Sequence, residues 1–287
     1  MHDHKSQIQS LPCWRGRVEP QPLQGGITNI NFLVEDAGRR FVVRLGGDIP
    51  VHHVMRFNEY AASRAAAAAG VSPAVIYTAP GVMVLGYIDA PASDAAGIRA
   101  RLDEAVALVR RAHREVPRHL RGPVLAFWVF HVIRDYAAAL REASYDADLK
   151  QLLDRAAALE RATGDIEMVF GHNDLLAANF LHDGTRLWLI DWDYAGFNSP
   201  LFDLGGLASN NEFTAAEETR MLEGYFERKI DSVLQRKYRA MKVAAMLREM
   251  MWSMVSESHS QLDYDYKTYT RTTMKRFEQA WDDFAQV

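Results

Sequence analysis

Gly171-His172-Asn173-Asp174-Leu175-Leu176-Ala177-Ala178-Asn179-Phe180, followed shortly by Leu189-Ile190-Asp191-Trp192-Asp193, carries the clearest structural signals in the chain. Asp183-Gly184 between its two parts is a strong two-residue hairpin signal. Phe180 to His182 and Leu187 to Ile190 then become paired strands, which makes Asn179 and Asp191 neighbours at the open end of one hairpin. Asp174 precedes Asn179 by five residues. A carboxylate, a carboxamide and a second carboxylate therefore converge. Hard oxygen donors of this kind suit Mg²⁺ carrying substrate phosphates. Singly, each residue reads as a turn cap or a strand end; the three together at this spacing favour chemistry.

Upstream, the first third reads as a small β-rich lobe interrupted by one helix. Asn31 to Val34 and Phe41 to Leu45 are strand-like, joined by the polar, glycine-containing Glu35 to Arg40. His52 to Ala69 is rich in helix formers and stops at Gly70 and Pro73. A further strand, Val82 to Leu85, runs into Gly86 to Pro91, the expected hinge. We expect residues 1–88 to form a nucleotide-binding lobe and residues 89–287 a catalytic and acceptor-binding lobe. The latter is mostly helical, with helices over Ile98 to His113, Trp128 to Leu140, Leu149 to Ala162 and again from Thr214, around the β island of Met168 to Ile190. The expected class is α+β.

Composition narrows the partners. Hydrophobic residues make up 48% and charged residues 24% of 287, which is ordinary for a globular protein. Lys and Arg, at 33, trail Asp and Glu, at 37, for a net charge of -4. Without a basic run, a nucleic-acid partner is not expected, and small molecules are. The single cysteine, Cys13, leaves no internal disulfide and suits a reducing compartment. Met1 to Ser6 lacks the apolar stretch of a secretory signal, and no segment reaches the ~20 apolar residues that span a bilayer. A cytoplasmic protein away from membranes is expected. His2 and His4 read as a solvated tail. Oligomeric state is not encoded in any pattern found here.

The His-x-Asp-x4-Asn spacing followed by a strand-borne Asp resembles the catalytic and metal-binding loops of the two-lobed protein-kinase-like fold. His172-Asn173-Asp174 with Asn179, and Ile190-Asp191-Trp192-Asp193-Tyr194 running to Phe202-Asp203-Leu204-Gly205, resemble the choline/ethanolamine kinase family more narrowly, its bacterial members most. The resemblance extends over nearly the whole chain. It implies ATP and Mg²⁺, with Asp174 accepting the substrate hydroxyl proton, Asn179 and Asp191 as Mg²⁺ ligands, His172 supporting the loop and Asp203 bracing it, an ordinary helix cap being the other reading of Asp203. Phosphoryl transfer depends on positioning and charge stabilisation, which such a set supplies.

In the first lobe, Gly25-Gly26-Ile27-Thr28-Asn29 precedes a strand, and the missing side chains let backbone amides approach phosphate oxygens. A Gly-Gly pair is also an ordinary turn, but this form resembles the family's phosphate loop. Period-two alternation places Arg44 on one face of its strand with Val42. The family likewise places Arg where protein kinases have Lys, and its planar fork suits phosphate oxygens. Glu59 on the following helix is its natural ionic partner. Backbone around Tyr87 is the expected adenine contact.

A quaternary ammonium offers no N–H donor, so aromatic faces and carboxylates must hold it. Tyr194, Trp252 and Tyr269 match family positions lining the choline pocket, with Asp265 and Tyr266 nearby. Two positions depart from the eukaryotic pattern: Glu249 stands where a second Trp is usual, and Asn210 where an acidic residue is, although Glu212 is close. The i,i+3 spacing puts Glu249 on the face of Trp252, where it supplies negative charge. The expected activity is choline phosphorylation, with ethanolamine the next acceptor. Aminoglycoside and thiamine kinases share the central motif, and a nucleotide-binding scaffold without turnover is the non-enzymatic alternative.

Overall fold

The computed structural model describes residues 2–23, 29–260 and 264–286. Elements follow in the order α1 (His2–Gln9), β1 (Gln21–Leu23), β2 (Ile30–Asp36), β3 (Arg39–Leu45), α2 (Arg56–Ala68), β4 (Val75–Ala79) and β5 (Val82–Gly86). The chain continues through α3 (Ala95–Ala100), α4 (Leu102–His119), α5 (Val129–Glu142), α6 (Leu149–Thr163), β6 (Val169–Gly171), β7 (Phe180–His182), β8 (Leu187–Leu189) and β9 (Gly196–Asn198). It closes with α7 (Pro200–Asn210), α8 (Ala215–Phe226), α9 (Ser232–His259) and α10 (Tyr266–Ala285). This is a two-lobed, kinase-like α+β fold: an antiparallel sheet ordered β1-β2-β3-β5-β4, and a helical body carrying the small ribbons β6-β9 and β7-β8. No helix among the described residues is long and apolar enough to cross a membrane.

The sheet has its own core. Phe32 and Val34 of β2, Phe41 and Val43 of β3 and Val82 and Val84 of β5 are buried at period two and meet Ile8 of α1. The N-terminal segment is therefore a helix docked by Ile8, not a solvated tail. The helix expected from His52 begins instead at Arg56, because Pro50–His52 is a 3₁₀ turn and His53 takes a left-handed conformation at φ 61°. β1, β4, β9 and α7 carry no expectation above. α2 faces both ways. Glu59 reaches the sheet, whereas Ala62, Ala65 and Ala66 belong to the larger helical core with α4.

That core is built on α9, which packs against α5, α6, α7 and α10. Its crossing with α7 is close enough that a Cβ on Gly205 would lie 2.7 Å from Lys242 Cα, so the position admits only glycine. The segment after β5 returns to the catalytic hairpin: Ser93 N–H donates to Phe180 O at 3.0 Å, and Ala92 bridges Leu181. Sheet and hairpin are thus fastened next to each other.

Candidate active site

The loop between β6 and β7 is held by groups that fix its backbone. Asp203, buried in the first turn of α7, accepts from His172 N–H at 2.8 Å and Asn173 N–H at 2.7 Å, and meets His113 Nε2 at 2.8 Å. Burial alone would raise its carboxyl pKa, but the His113 hydrogen bond and the amides win and hold it below the usual range. The α7 cap is Ser199, so Asp203 braces the loop rather than capping the helix. Asn173 adopts φ 64°, which asparagine tolerates, and its side chain donates to Tyr194 O and Gly196 O. His172 Nε2–H donates to Ile190 O at 2.9 Å, while its Nδ1 accepts from Asp174 N–H at 3.3 Å. Both ring nitrogens are therefore spent on backbone, and burial keeps the imidazole neutral.

The hairpin forms in the expected register. Phe180 pairs with Leu189, and Ile190 N–H donates to Asn179 O at 2.9 Å, which sets Asn179 beside the chain entering Asp191. Asn179 Nδ2 donates to Asp174 O at 2.9 Å, leaving its carbonyl oxygen as the acceptor end. Asp191 sits at φ 70°, a left-handed conformation that costs a non-glycine residue roughly 1–3 kcal/mol and here re-aims the carboxylate.

From β3 comes Arg44. Its guanidinium is buried against Glu59 at 3.1 Å, Asp191 at 2.6 Å and Asp193 at 3.3 Å. Arg56, absent from the sequence-derived set, joins the same cluster through Glu59 at 2.6 Å and Asp193 at 2.9 Å. Three carboxylates surround two guanidiniums. Burial lifts the Glu59 carboxyl pKa even against both cations. Arg44 Nε and Arg56 Nη2 have no hydrogen-bond partner among the described residues, an expensive condition for buried donors. Asn29 donates to Asp193 at 3.0 Å. Gly25, Gly26 and Thr28 lie outside the described residues.

On the other side of the hairpin, Asp174 lines a recess shared with Glu249, Arg248, Asn210, Phe202 and Met246. Its enclosed free space is about 30 Å³, room for a water. Burial pushes the half-buried Asp174 carboxyl up to about 8, because Arg248 opposes the desolvation only in part and Glu249, Asp191 and Asp193 add to it. The recess brings Asp174 and Glu249 together but leaves Tyr194, Trp252 and Tyr269 outside its lining. These three form an adjoining aromatic cluster. Trp252 Nε1–H donates to Tyr194 OH at 2.9 Å, and the Trp252 ring meets His52, Tyr266 and Tyr269 at 5.3, 6.0 and 6.3 Å. Tyr269 OH donates to Glu249 Oε1 at 2.6 Å. Glu212 points away, 80% exposed and paired with Arg99.

Arg248 is the residue that sequence reasoning missed. It is buried, with its guanidinium 4.4 Å from the Tyr194 ring centroid and 5.4 Å from that of Phe127, and its Nη1 3.1 Å from Glu249. Its Nε and Nη2 lack partners among the described residues. The signal was present: Arg248-Glu249 is a lone charged pair inside the apolar run from Val243 to Trp252.

Comparison with known proteins gives the family. A model of the phosphotransferase enzyme family matches residues 19–242. Protein LicA of Haemophilus influenzae is 26% identical over 260 residues, covering 84% of this chain and 75% of LicA. Human ethanolamine kinase 2 is 26% identical over 91% of this chain and 76% of its own. The crystal structure of a choline/ethanolamine kinase family protein from Mesorhizobium loti superimposes with a TM-score of 0.81 at 26% identity, over 99% of this chain and 96% of the other. The chain belongs to the phosphotransferase enzyme family and is a phosphotransferase of the choline/ethanolamine kinase type.

Proposed function

We propose that this enzyme transfers the γ-phosphate of ATP to the hydroxyl of a small amino alcohol. The observation that carries the reading is that Asp174 lines a recess with a second carboxylate, Glu249, and lies within the field of Asp191 and Asp193 of the buried guanidinium–carboxylate cluster. Asp174 takes the hydroxyl proton as the alcohol oxygen bonds to the γ-phosphorus and the bond to the β-phosphate bridging oxygen breaks, releasing ADP. A carboxylate whose pKa lies near neutrality suits that transfer. Arg44 and Arg56 offer the buried unpartnered N–H groups that phosphate oxygens would accept from. Residues 1–88 serve as the nucleotide-binding lobe and residues 89–287 supply base and acceptor site. Backbone at Tyr87, whose N–H is bonded to Arg40 O at 3.1 Å, lies at the expected hinge.

Mg²⁺ fits the donor set. The Asn179 carbonyl oxygen, oriented by the amide's bond to Asp174 O, and the Asp191 carboxylate, a quarter exposed, are hard oxygen ligands on one hairpin end. Bound there, the ion would neutralise phosphate charge; the residues position it and His172 and Asp203 hold the loop.

Which alcohol is accepted turns on Arg248. A trimethylammonium needs open aromatic faces, and the Tyr194 face is covered by the protein's own guanidinium. Glu249 borders the recess and can hydrogen-bond an N–H donor, which ethanolamine has and choline lacks. The arrangement thus moves a primary ammonium ahead of choline. Choline stays the second reading, on the strength of the Trp252, Tyr266 and Tyr269 rings. The test is turnover of purified enzyme with ATP, Mg²⁺ and a panel of amino alcohols. A higher kcat/KM for ethanolamine than for choline supports the order given; the reverse restores choline, and no turnover with any member sinks the amino-alcohol reading.

A further inference from the structure

Away from the active cleft, His53, His131 and Asp135 bring three ligand atoms within 4.8 Å of one another. His131 and Asp135 are an i,i+4 pair on one face of α5, a spacing that a helix makes rigid. His53 comes from the turn after Pro50–His52 and is held at φ 61° inside the Ile49–Val54 bridge. Both imidazoles present Nε2 to the same Asp135 oxygen, at 3.1 Å from His53 and 3.2 Å from His131. A carboxylate oxygen can accept from both imidazoles, and the same convergence presents three potential ligand atoms to one point.

We propose that His53, His131 and Asp135 form a Zn²⁺ site. Zn–N and Zn–O bonds of about 2.0–2.2 Å at a tetrahedral centre separate the ligand atoms by roughly 3.3–3.5 Å. The two separations to Asp135 fall within a few tenths of an ångström of that edge and the two imidazole nitrogens lie within 4.8 Å, so closing onto an ion takes side-chain shifts of about an ångström. Asp135 and His131 are 46% and 57% exposed, which leaves an entry path and a fourth position for water. Two imidazoles and one carboxylate select zinc over magnesium, which takes oxygen ligands. The site is thus chemically separate from the Asn179–Asp191 pair.

Its position gives binding a consequence. The turn carrying His53 also carries His52, whose ring lies 5.3 Å from Trp252 and whose Nε2 is 3.1 Å from Ser256 Oγ. The same segment leads into Arg56 of the ionic cluster. A zinc ion ties this segment to α5 and so stabilises the native state by mass action.

The experiment titrates tag-free, EDTA-treated, full-length enzyme with ZnCl2 in millimolar Mg²⁺, by calorimetry and by thermal denaturation. The wild type is expected to bind one zinc ion that His131→Ala and Asp135→Asn each weaken by about 100-fold, at least the loss seen when a metal site's outer partners are removed. The wild-type midpoint should rise by several degrees with zinc and those of the variants should not. Both substitutions are at exposed positions, and kcat without zinc, equal to wild type, checks that the variants are folded. Undiminished binding in both variants, no binding by the wild type, or displacement of zinc by Mg²⁺ overturns the site.

Discussion

On one side of the Asp183-Gly184 hairpin, Arg44 and Arg56 face Glu59, Asp191 and Asp193 at 2.6–3.3 Å. On the other, Arg248 meets a single carboxylate at 3.1 Å and lies over the rings of Phe127 and Tyr194. The first cluster sets two guanidiniums among three carboxylates, a fixed scaffold of the kind the proposed phosphate site calls for. In both clusters burial lifts one carboxyl: Glu59 rises to about 7 against two guanidiniums, whereas Asp174, opposed by Arg248 alone, is pushed up to about 8. A base that accepts a proton and gives it back near neutrality suits the second environment, which is the role proposed for Asp174.

The contrast breaks most severely at Asp174. Asp174→Asn keeps the shape and removes the base, so kcat is expected to fall by ~10²–10⁴-fold with nucleotide affinity nearly unchanged, read by steady-state kinetics and nucleotide titration. Full activity in this variant would remove Asp174 from proton transfer. The raised pKa also fixes a sign for stability. A carboxyl protonated more readily in the folded state contributes most below its ordinary pKa, and that contribution is lost as pH rises through about 8. The Asn variant escapes the loss, and its Tm above that pH should equal or exceed that of the wild type.

Next in size is Arg44→Lys, which exchanges a buried fork for a point charge beside three carboxylates. Hydrogen bonds to charged groups contribute ~1.5–3 kcal/mol, so KM for ATP should rise by about tenfold or more. A change confined to the acceptor KM would separate Arg44 from the nucleotide. A smaller effect is the pH profile. kcat/KM should rise with pH through an apparent pKa near 8 as Asp174 ionises. In kcat the same pKa should be lower, because an ammonium bound beside the carboxylate favours its charged form. Equal values in the two profiles would mean that no cation binds next to Asp174.

The central third of the chain was legible because its signals are local. Asp183-Gly184 dictates a hairpin, the hairpin dictates that Asn179 adjoins the Asp191 strand, and the observed register agrees. The Arg44–Glu59 pair, which strand alternation and a following helix allowed and the family resemblance favoured, forms at 3.1 Å. What escaped depends on partners distant in sequence. β9 is three residues long and exists by pairing with Val169–Gly171. α7 has a Ser199-Pro200 start signal, but Gly205-Gly206 masks it, and Gly205 is required only because α9 crosses there. Val75–Ala79 has β-branched and aromatic residues but no alternation of burial. Arg248 was only faintly legible for another reason: a helical arginine is ordinarily solvated, so a charged pair in an apolar run does not by itself reveal that the packing of α9 turns this one inward.

The finest test of the contrast is Glu249→Gln, because it changes the charge of the recess without changing its shape. Glu249 borders the same recess as Asp174, accepts from Tyr269 OH at 2.6 Å and pairs with Arg248 at 3.1 Å. Removing its charge weakens attraction for any ammonium, and for a primary ammonium also turns a charge-assisted hydrogen bond into a neutral one. That second loss, ~1 kcal/mol, corresponds to about fivefold in kcat/KM. Ethanolamine should therefore lose about fivefold more than choline, and Arg248, released from its carboxylate, should leave the choline value low in both enzymes. Trp252→Ala is the poorer probe: Trp252 is 6% exposed and bonded to Tyr194, so truncation costs folding stability as well as cation binding. Steady-state constants for both alcohols in the wild type and in Glu249→Gln decide the matter. Equal losses for the two alcohols would show that Glu249 acts on the acceptor as a distant charge rather than as a hydrogen-bond partner, and unchanged constants would return recognition to the aromatic cluster alone.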